Sequence, residues 1–327
     1  MLARPWCRCA LFTLVWATSA ILARAAFADS PPVFVTMWGS LGSGQGQLDH
    51  PEFVVLAPDG LLYLADQHNN RVVVYTRNGQ QVSEFPVLGP GNPDEPPHPT
   101  GIAYNAATGL LYVSEHHTHR ISAFTLSGTY LYSFGEGVLY PVEVECDPSG
   151  FIYVASSGND LVMKFAPDGS LLGSWTVEGA PYGLLLSPGG TIYVTGFYNA
   201  QVRKYTTGGQ LLQAWGSSGT GDGQFQQPEG MWADAHGNLY VVDAGNNRVQ
   251  KFAPDGAFLT KWGSMGSGPG QFYGLSDVIG DGDDNIYVVE WSNHRMQKFT
   301  NSGVTPALAR SWGSLKSQYL RAGPQGR

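Results

Sequence analysis

Six tyrosines recur in apolar runs at intervals of 40 to 49 residues: Tyr63, Tyr112, Tyr153, Tyr193, Tyr240 and Tyr287. Twelve residues after each stands another aromatic, namely Tyr75, Phe124, Phe165, Tyr205, Phe252 and Phe299. Sixteen residues after each stands a glycine: Gly79, Gly128, Gly169, Gly209, Gly256 and Gly303. Twenty-two residues on, the first five copies place Phe85, Phe134, Trp175, Trp215 and Trp262. A register held through six copies requires six examples of one structural unit, and a period in this range is that of a four-stranded sheet repeated about an axis.

The fifth copy shows the unit most clearly. Its expected strands are Gly230–Ala233, Asn238–Val242, Arg248–Phe252 and Phe258–Trp262, separated by turn signals such as Ala-His-Gly-Asn and Pro-Asp-Gly. One such sheet cannot bury both faces alone, so the copies must pack side by side. The fold class implied is all-β, a six-bladed propeller spanning residues 29–313. Closure is also legible. Trp38-Gly39-Ser40 precedes Tyr63 by 25 residues, as Trp215 precedes Tyr240 and Trp262 precedes Tyr287. Val33–Trp38 therefore reads as an N-terminal strand that closes the ring and removes an exposed sheet edge. Trp312-Gly313 competes for that place but arrives three residues late.

Residues 1–28 read as an export signal. Arg4 and Arg8 precede the apolar run Ala10–Leu22, and Ala26-Phe27-Ala28 supplies a small-x-small cleavage pattern. The run is short for a bilayer span, so a secreted or periplasmic protein without membrane insertion is expected after cleavage. Residues 314–327 read as a flexible tail. Loss of Arg4, Arg8 and Arg24 leaves 15 basic residues against 26 acidic ones, a balance that disfavours nucleic acid as a partner. Only Cys146 of the three cysteines remains, so no internal disulfide can form and a monomer must be held by its core.

The fifth copy reads Gly-Gln-Phe-Gln-Gln-Pro-Glu-Gly, then Asn-Leu-Tyr-Val-Val-Asp, then Asn-Asn-Arg-Val-Gln-Lys-Phe, then Asp-Gly, and the sixth carries Asn293-His294-Arg295. This closely resembles the NHL repeat. The resemblance covers nearly the whole mature chain and implies a propeller. It implies little chemistry, because such propellers include sensors, scaffolds and enzymes.

Acidic and arginine positions look catalytic until the copies are compared. Three residues after the anchors stand Asp66, Glu115, Ser156, Gly196, Asp243 and Glu290; eight after stand Arg71, Arg120, Leu161, Gln201, Arg248 and Arg295. Wherever the first is acidic the second is Arg. These are structural pairs facing each other across the turn between the second and third strands.

Candidate chemistry sits on the face carrying the connections from strand two to three and from strand four to the next blade. Seven of eight histidines map there, and only His236 maps to the opposite face. Glu115-His116-His117-Thr118-His119 is the densest group, although histidines in surface turns are ordinarily solvated. Resemblance to amidating lyases would require zinc histidines one residue after the proline that opens the first strand. That position holds Glu52, Thr100, Val142, Tyr182, Glu229 and Ser276, which argues against that activity. Glu52 and Glu229, with Glu143 and Asp277 one position later in their blades, are hard oxygen ligands suited to Ca²⁺. Pro228-Glu229-Gly230-Met231-Trp232 resembles the opening motif of gluconolactonase-type propellers, whose Glu binds the catalytic metal.

No catalytic residue is assigned from the sequence. The leading expectation is a scaffold that binds a peptide, protein or glycan through Tyr182, Phe197, Tyr198 and Trp291, with His116, His117 and His119 beside them. The alternative is a metal-dependent lactonase or lyase acting at the central channel.

Overall fold

The computed structural model describes residues 30–87, 96–187 and 189–301. The expected signal at 1–28, the expected tail at 314–327 and the competing Trp312 all lie outside the described residues. Six four-stranded antiparallel sheets surround a central channel. The first blade comprises Pro51–Leu56, Leu61–Asp66, Arg71–Thr76 and Gln81–Pro86, innermost strand first. The innermost strands of the other five are Pro99–Asn105, Pro141–Cys146, Pro181–Leu186, Pro228–Ala233 and Leu275–Gly280. Among the described residues the only helical elements are two short 3₁₀ turns, Ser157–Asn159 and Ala244–Asn246.

The repeated aromatics hold the blades to one another. All six anchor tyrosines are buried, as are the aromatics twelve residues later. Each outer-strand tryptophan spans a seam. Trp175 meets Tyr153 of its own blade at 6.4 Å and Tyr205 of the next at 6.2 Å. Trp215 bridges Tyr193 and Phe252 in the same way, and Trp262 bridges Tyr240 and Phe299. The described glycines of the sixteenth position, Gly79, Gly128, Gly169, Gly209 and Gly256, each lie against the outer aromatic of the preceding blade. Gly79, at φ +81°, packs against Trp38 with no room for a Cβ.

The sixth blade is completed from the other end of the chain. Val33–Trp38 pairs antiparallel with Arg295–Thr300, with Val33 opposite Thr300 and Trp38 opposite Met296. Trp38 then meets Tyr287 of the sixth blade and Tyr75 of the first, as the other tryptophans do at their seams.

The acid–arginine pairs form as read, and they do more than bridge a turn. Arg71–Asp66 and Arg248–Asp243 are 2.7 Å apart, Arg120–Glu115 2.7 Å and Arg295–Glu290 2.6 Å. The remaining guanidinium N–H groups clamp the loop that enters the blade. Arg248 donates to the carbonyls of Thr220, Gly221 and Gln224, and Arg71 to those of Ser43 and Gln47. The carboxylates hold the same loop from its far end, Asp243 accepting from Gln226 N–H and Asp66 from Asp49 N–H, both at 2.7 Å. Where the pair is missing in the third blade, Ser156 exchanges hydrogen bonds with the backbone of Leu139.

One boundary differs from the sequence reading in a way that matters for the site. The fifth blade begins at Pro228, not Gly230, because the inner strand is bulged: Pro228 pairs with Asp243, and pairing resumes only at Met231. The same skip occurs after Pro51, Pro99, Pro141 and Pro181, and between Leu275 and Asp277.

Arg248→Met should lower unfolding free energy by about 3–5 kcal/mol, since it strands the fully buried Asp243. Asp243→Leu with Arg248→Met should recover only part of that loss, because the three loop carbonyls lose their donor in either variant. Urea unfolding of the four proteins in this cycle measures both terms, and a double variant as stable as the parent would refute the clamp.

Candidate functional site at the channel mouth

The bulge builds the site. In a regular strand, successive side chains alternate between faces, so two neighbours could not both serve the channel. An extra unpaired residue breaks that alternation and re-aims side chains. Glu52, Glu143, Tyr182 and Glu229 all lie within bulges, between the paired prolines and the resumption of the ladder.

The carboxylates have unequal partners. Asp277 accepts from Val54 N–H of the first blade at 3.0 Å and from its neighbour Val278 N–H at 2.7 Å. Glu143 accepts from Leu184 N–H of the fourth blade. These two staple adjacent blades while keeping lone pairs free. Glu52 is 5 % exposed, and its Oε2 is buried with no hydrogen-bond partner. Glu145, two residues beyond Glu143 on the same strand, is close enough to interact electrostatically with Glu143 and Asp277.

Burial and mutual repulsion push these groups upward. Desolvation, then the Asp277 charge, raises Glu52 to about 8. Desolvation raises Glu145 to about 8 and Asp277 to about 7. Glu143 and Glu229 are also raised well above the ordinary carboxylate range, first by burial and then by neighbouring carboxylates.

Above them opens a cavity of about 570 Å³, lined by Glu52, Glu229, Tyr182, Phe197, Trp291 and several histidines, with no Lys or Arg in its walls. Tyr182 stacks on Phe197 at 5.1 Å, and its other neighbour is Phe53 of the opposite blade at 6.1 Å, so the channel is narrow at this level. Of the proposed ligand contacts, Tyr182, Phe197, Trp291, His116 and His117 line the cavity. Tyr198 stands outside the mouth against the edge of Phe197, 78 % exposed. His119 turns away to the outer rim, packing on Tyr140 and accepting its backbone N–H at 3.0 Å.

The histidines are not scattered. Rings meet in succession from His294 to His50 (4.7 Å), His68 (4.0 Å), His98 (5.4 Å), His117 (4.1 Å) and His116 (5.4 Å). This arc crosses the seams of the sixth, first and second blades, while His236 lines a separate cavity. Desolvation lowers His68, His116 and His294, and lowers His98 to about 4, with neighbouring imidazoles adding to the effect in each. The sequence reading placed these histidines on one face but did not assign His50, His68, His98 and His294 to a site, and it missed Asp49 and Glu145. The signal available for Asp49 was that the loop positions preceding the other inner strands carry no acid: Pro97, Leu139, Gly179, Gln226 and Tyr273.

Family models match three segments. The NHL repeat matches residues 48–75 and 97–124, and a 6-bladed beta-propeller family matches residues 231–304. The chain is a six-bladed β-propeller that carries NHL repeats. No curated protein sequence matches it. Among solved structures, the propeller is similar to a streptogramin B lyase, with TM-score 0.60, 13 % identity, and 81 % of this chain and 97 % of that one covered. A virginiamycin B lyase from Staphylococcus aureus solved with quinupristin gives TM-score 0.60 at 14 % identity, covering 83 % and 98 %. A gluconolactonase from Xanthomonas campestris gives 0.61 at 18 %, covering 83 % and 98 %. At these identities the likeness is one of fold.

The pKa directions set a pH window. Carboxylates raised in the folded state contribute stability that is complete below about pH 4.5 and lost as pH rises through about 8. Histidines lowered in the folded state act oppositely, adding stability as pH climbs from about 4 to 6.5. The two trends oppose each other up to pH 6.5, and above it only the carboxylates slope. Metal-free protein should therefore lose urea stability steadily between pH 6.5 and 8, and Glu145→Gln should flatten that decline. A stability that rises over this interval would contradict the burial of the acids.

Proposed function

We propose that this propeller belongs to an exported protein that binds its ligand at the channel mouth, over a hard divalent cation of the Ca²⁺ type. Glu52 and Glu229 would hold the ion, with Glu143 and Asp277 behind them. The observation carrying this reading is Glu52 Oε2, a buried carboxylate oxygen without a donor, on a cavity that has no Lys or Arg in its walls. A buried anion without a partner is costly, and a cation supplies what no side chain here does. The stacked Tyr182–Phe197 pair and Trp291 offer flat apolar area beside an oxygen-rich floor. That chemistry suits a glycan or a peptide presenting carbonyls and hydroxyls.

A second reading is metal-dependent lactone hydrolysis or elimination at the same place. It is favoured by Glu145, raised to about 8 by burial behind the cation seat and so matched to general acid–base work near neutral pH. Turnover of a lactone panel by the Ca²⁺-loaded protein, lost in Glu229→Gln, would select this reading over simple binding.

Ca²⁺ at a hundredfold excess over its dissociation constant should raise the melting temperature of the metal-free protein by about 5 °C. Glu52→Gln with Glu229→Gln should abolish that shift and leave the metal-free protein no less stable at pH 8. A parent protein that binds no divalent cation, with its ligand mapping to the His236 face, would overturn the proposal.

A further inference from the structure

The seam between the sixth and first blades brings together residues far apart in the chain. Asp49 Oδ1 lies 2.6 Å from His50 Nδ1, 3.8 Å from His294 Nδ1 and 3.8 Å from His68 Nδ1. Ligand atoms of Asp49, His50 and His294 all fall within 4.8 Å of one another. A four-coordinate ion with bonds near 2.0–2.2 Å sets its ligand atoms roughly 3.3 Å apart. The three distances to Asp49 straddle that value, so shifts of about half an ångström would complete a coordination shell.

We propose that Asp49, His50 and His294 form a second metal site, distinct from the carboxylate ring, for a borderline divalent transition-metal ion such as Zn²⁺, with His68 as its fourth ligand. Imidazole-rich sets select such ions, whereas the channel carboxylates select hard ones. The backbone that carries the ligands is fixed before any ion arrives. Asp49 N–H donates to Asp66 at 2.7 Å, and His68 N–H donates to the Asp49 carbonyl at 3.1 Å. Trp291 packs against the His50 ring at 3.9 Å, which holds the imidazole in place. His68 and Trp291 also line the mouth cavity, so the ion sits at its edge.

Comparison of blades separates this set from the needs of the fold. The His50 position holds His98, Tyr140, Ala180, Gln227 and Gly274 elsewhere, and the His294 position holds Asn70, His119, Asp160, Ala200 and Asn247. His294 has one architectural duty, accepting His50 N–H at Nδ1 over 3.1 Å; Asn70 does the same for His98 and Asp160 for Ala180. That duty needs only a short polar acceptor. Coordination through Nδ1 takes over this lone pair, so the site exchanges one backbone hydrogen bond for a metal–nitrogen bond.

The duty also supplies a variant that keeps the fold. His294→Asn retains the acceptor, as Asn70 shows, and removes the imidazole. Chelator-stripped protein held in saturating Ca²⁺ would be titrated with Zn²⁺ by calorimetry and with Co²⁺ by visible absorption. The expected result is one Zn²⁺ per chain and the intense visible band of four-coordinate Co²⁺. His294→Asn and His50→Gln should each weaken Zn²⁺ binding at least tenfold, and His116→Asn with His117→Asn should leave it unchanged. The proposal is overturned if the parent takes up neither ion once Ca²⁺ is present, if His294→Asn binds Zn²⁺ as the parent does, or if the His116/His117 variant is the one that loses it. Because Ca²⁺ occupies or ignores the carboxylate ring throughout, none of these results depends on that ring.

Discussion

The buried acid–guanidinium pair at the head of each paired blade is the contact on which the functional face depends. It costs two desolvated charges, which a hydrophobic pair of similar size would avoid. What it gains is positional. One guanidinium reaches several loop carbonyls while its carboxylate holds the loop's exit through a backbone N–H. In the first blade that exit residue is Asp49, followed at once by His50, Pro51 and Glu52. The ion-pair network therefore sets the place of one member of the histidine cluster and one member of the carboxylate ring. Disturbing Asp66 or Arg71 would reach both.

The architecture was legible because it is written six times. Tyr63 and its five counterparts, the aromatics twelve residues on and the outer tryptophans each have one packing role, and repetition separates that role from chance. The site was legible only where a residue departs from the repeat and its position along the strand can be counted, as with Glu52, Glu229 and Tyr182. Two things escaped. The bulge after each opening proline carries no signature a sequence can show, since it depends on pairing, and it is what lets Glu143 and Glu229 serve one channel from unequal positions. The grouping of His50 and His68 with His294 escaped because ring closure, not sequence spacing, makes the sixth blade a neighbour of the first.

The same comparison sorts duty from opportunity elsewhere. Asp277 occupies a position that is Gly230 in the preceding blade, and Gly230 leaves the space its carboxylate fills. Both oxygens of Asp277 are engaged by backbone N–H groups. It is a staple between blades as well as a member of the ring, whereas Glu52 has no comparable duty. A carboxylate retained in a buried place without structural work is the stronger pointer to a ligand.

The pairing of Val33 with Thr300 sets an order of events for the chain. Every other strand pair joins neighbours in sequence and can form as soon as its own hairpin is made. The contact of Val33–Trp38 with the sixth blade spans almost the entire described chain, so its loop-closure entropy is met last. Until then Trp38 lacks one of its two aromatic partners, and the outermost strand of the sixth blade presents a bare edge. Of the described strands, the first to leave the ribosome is thus the last to find its place.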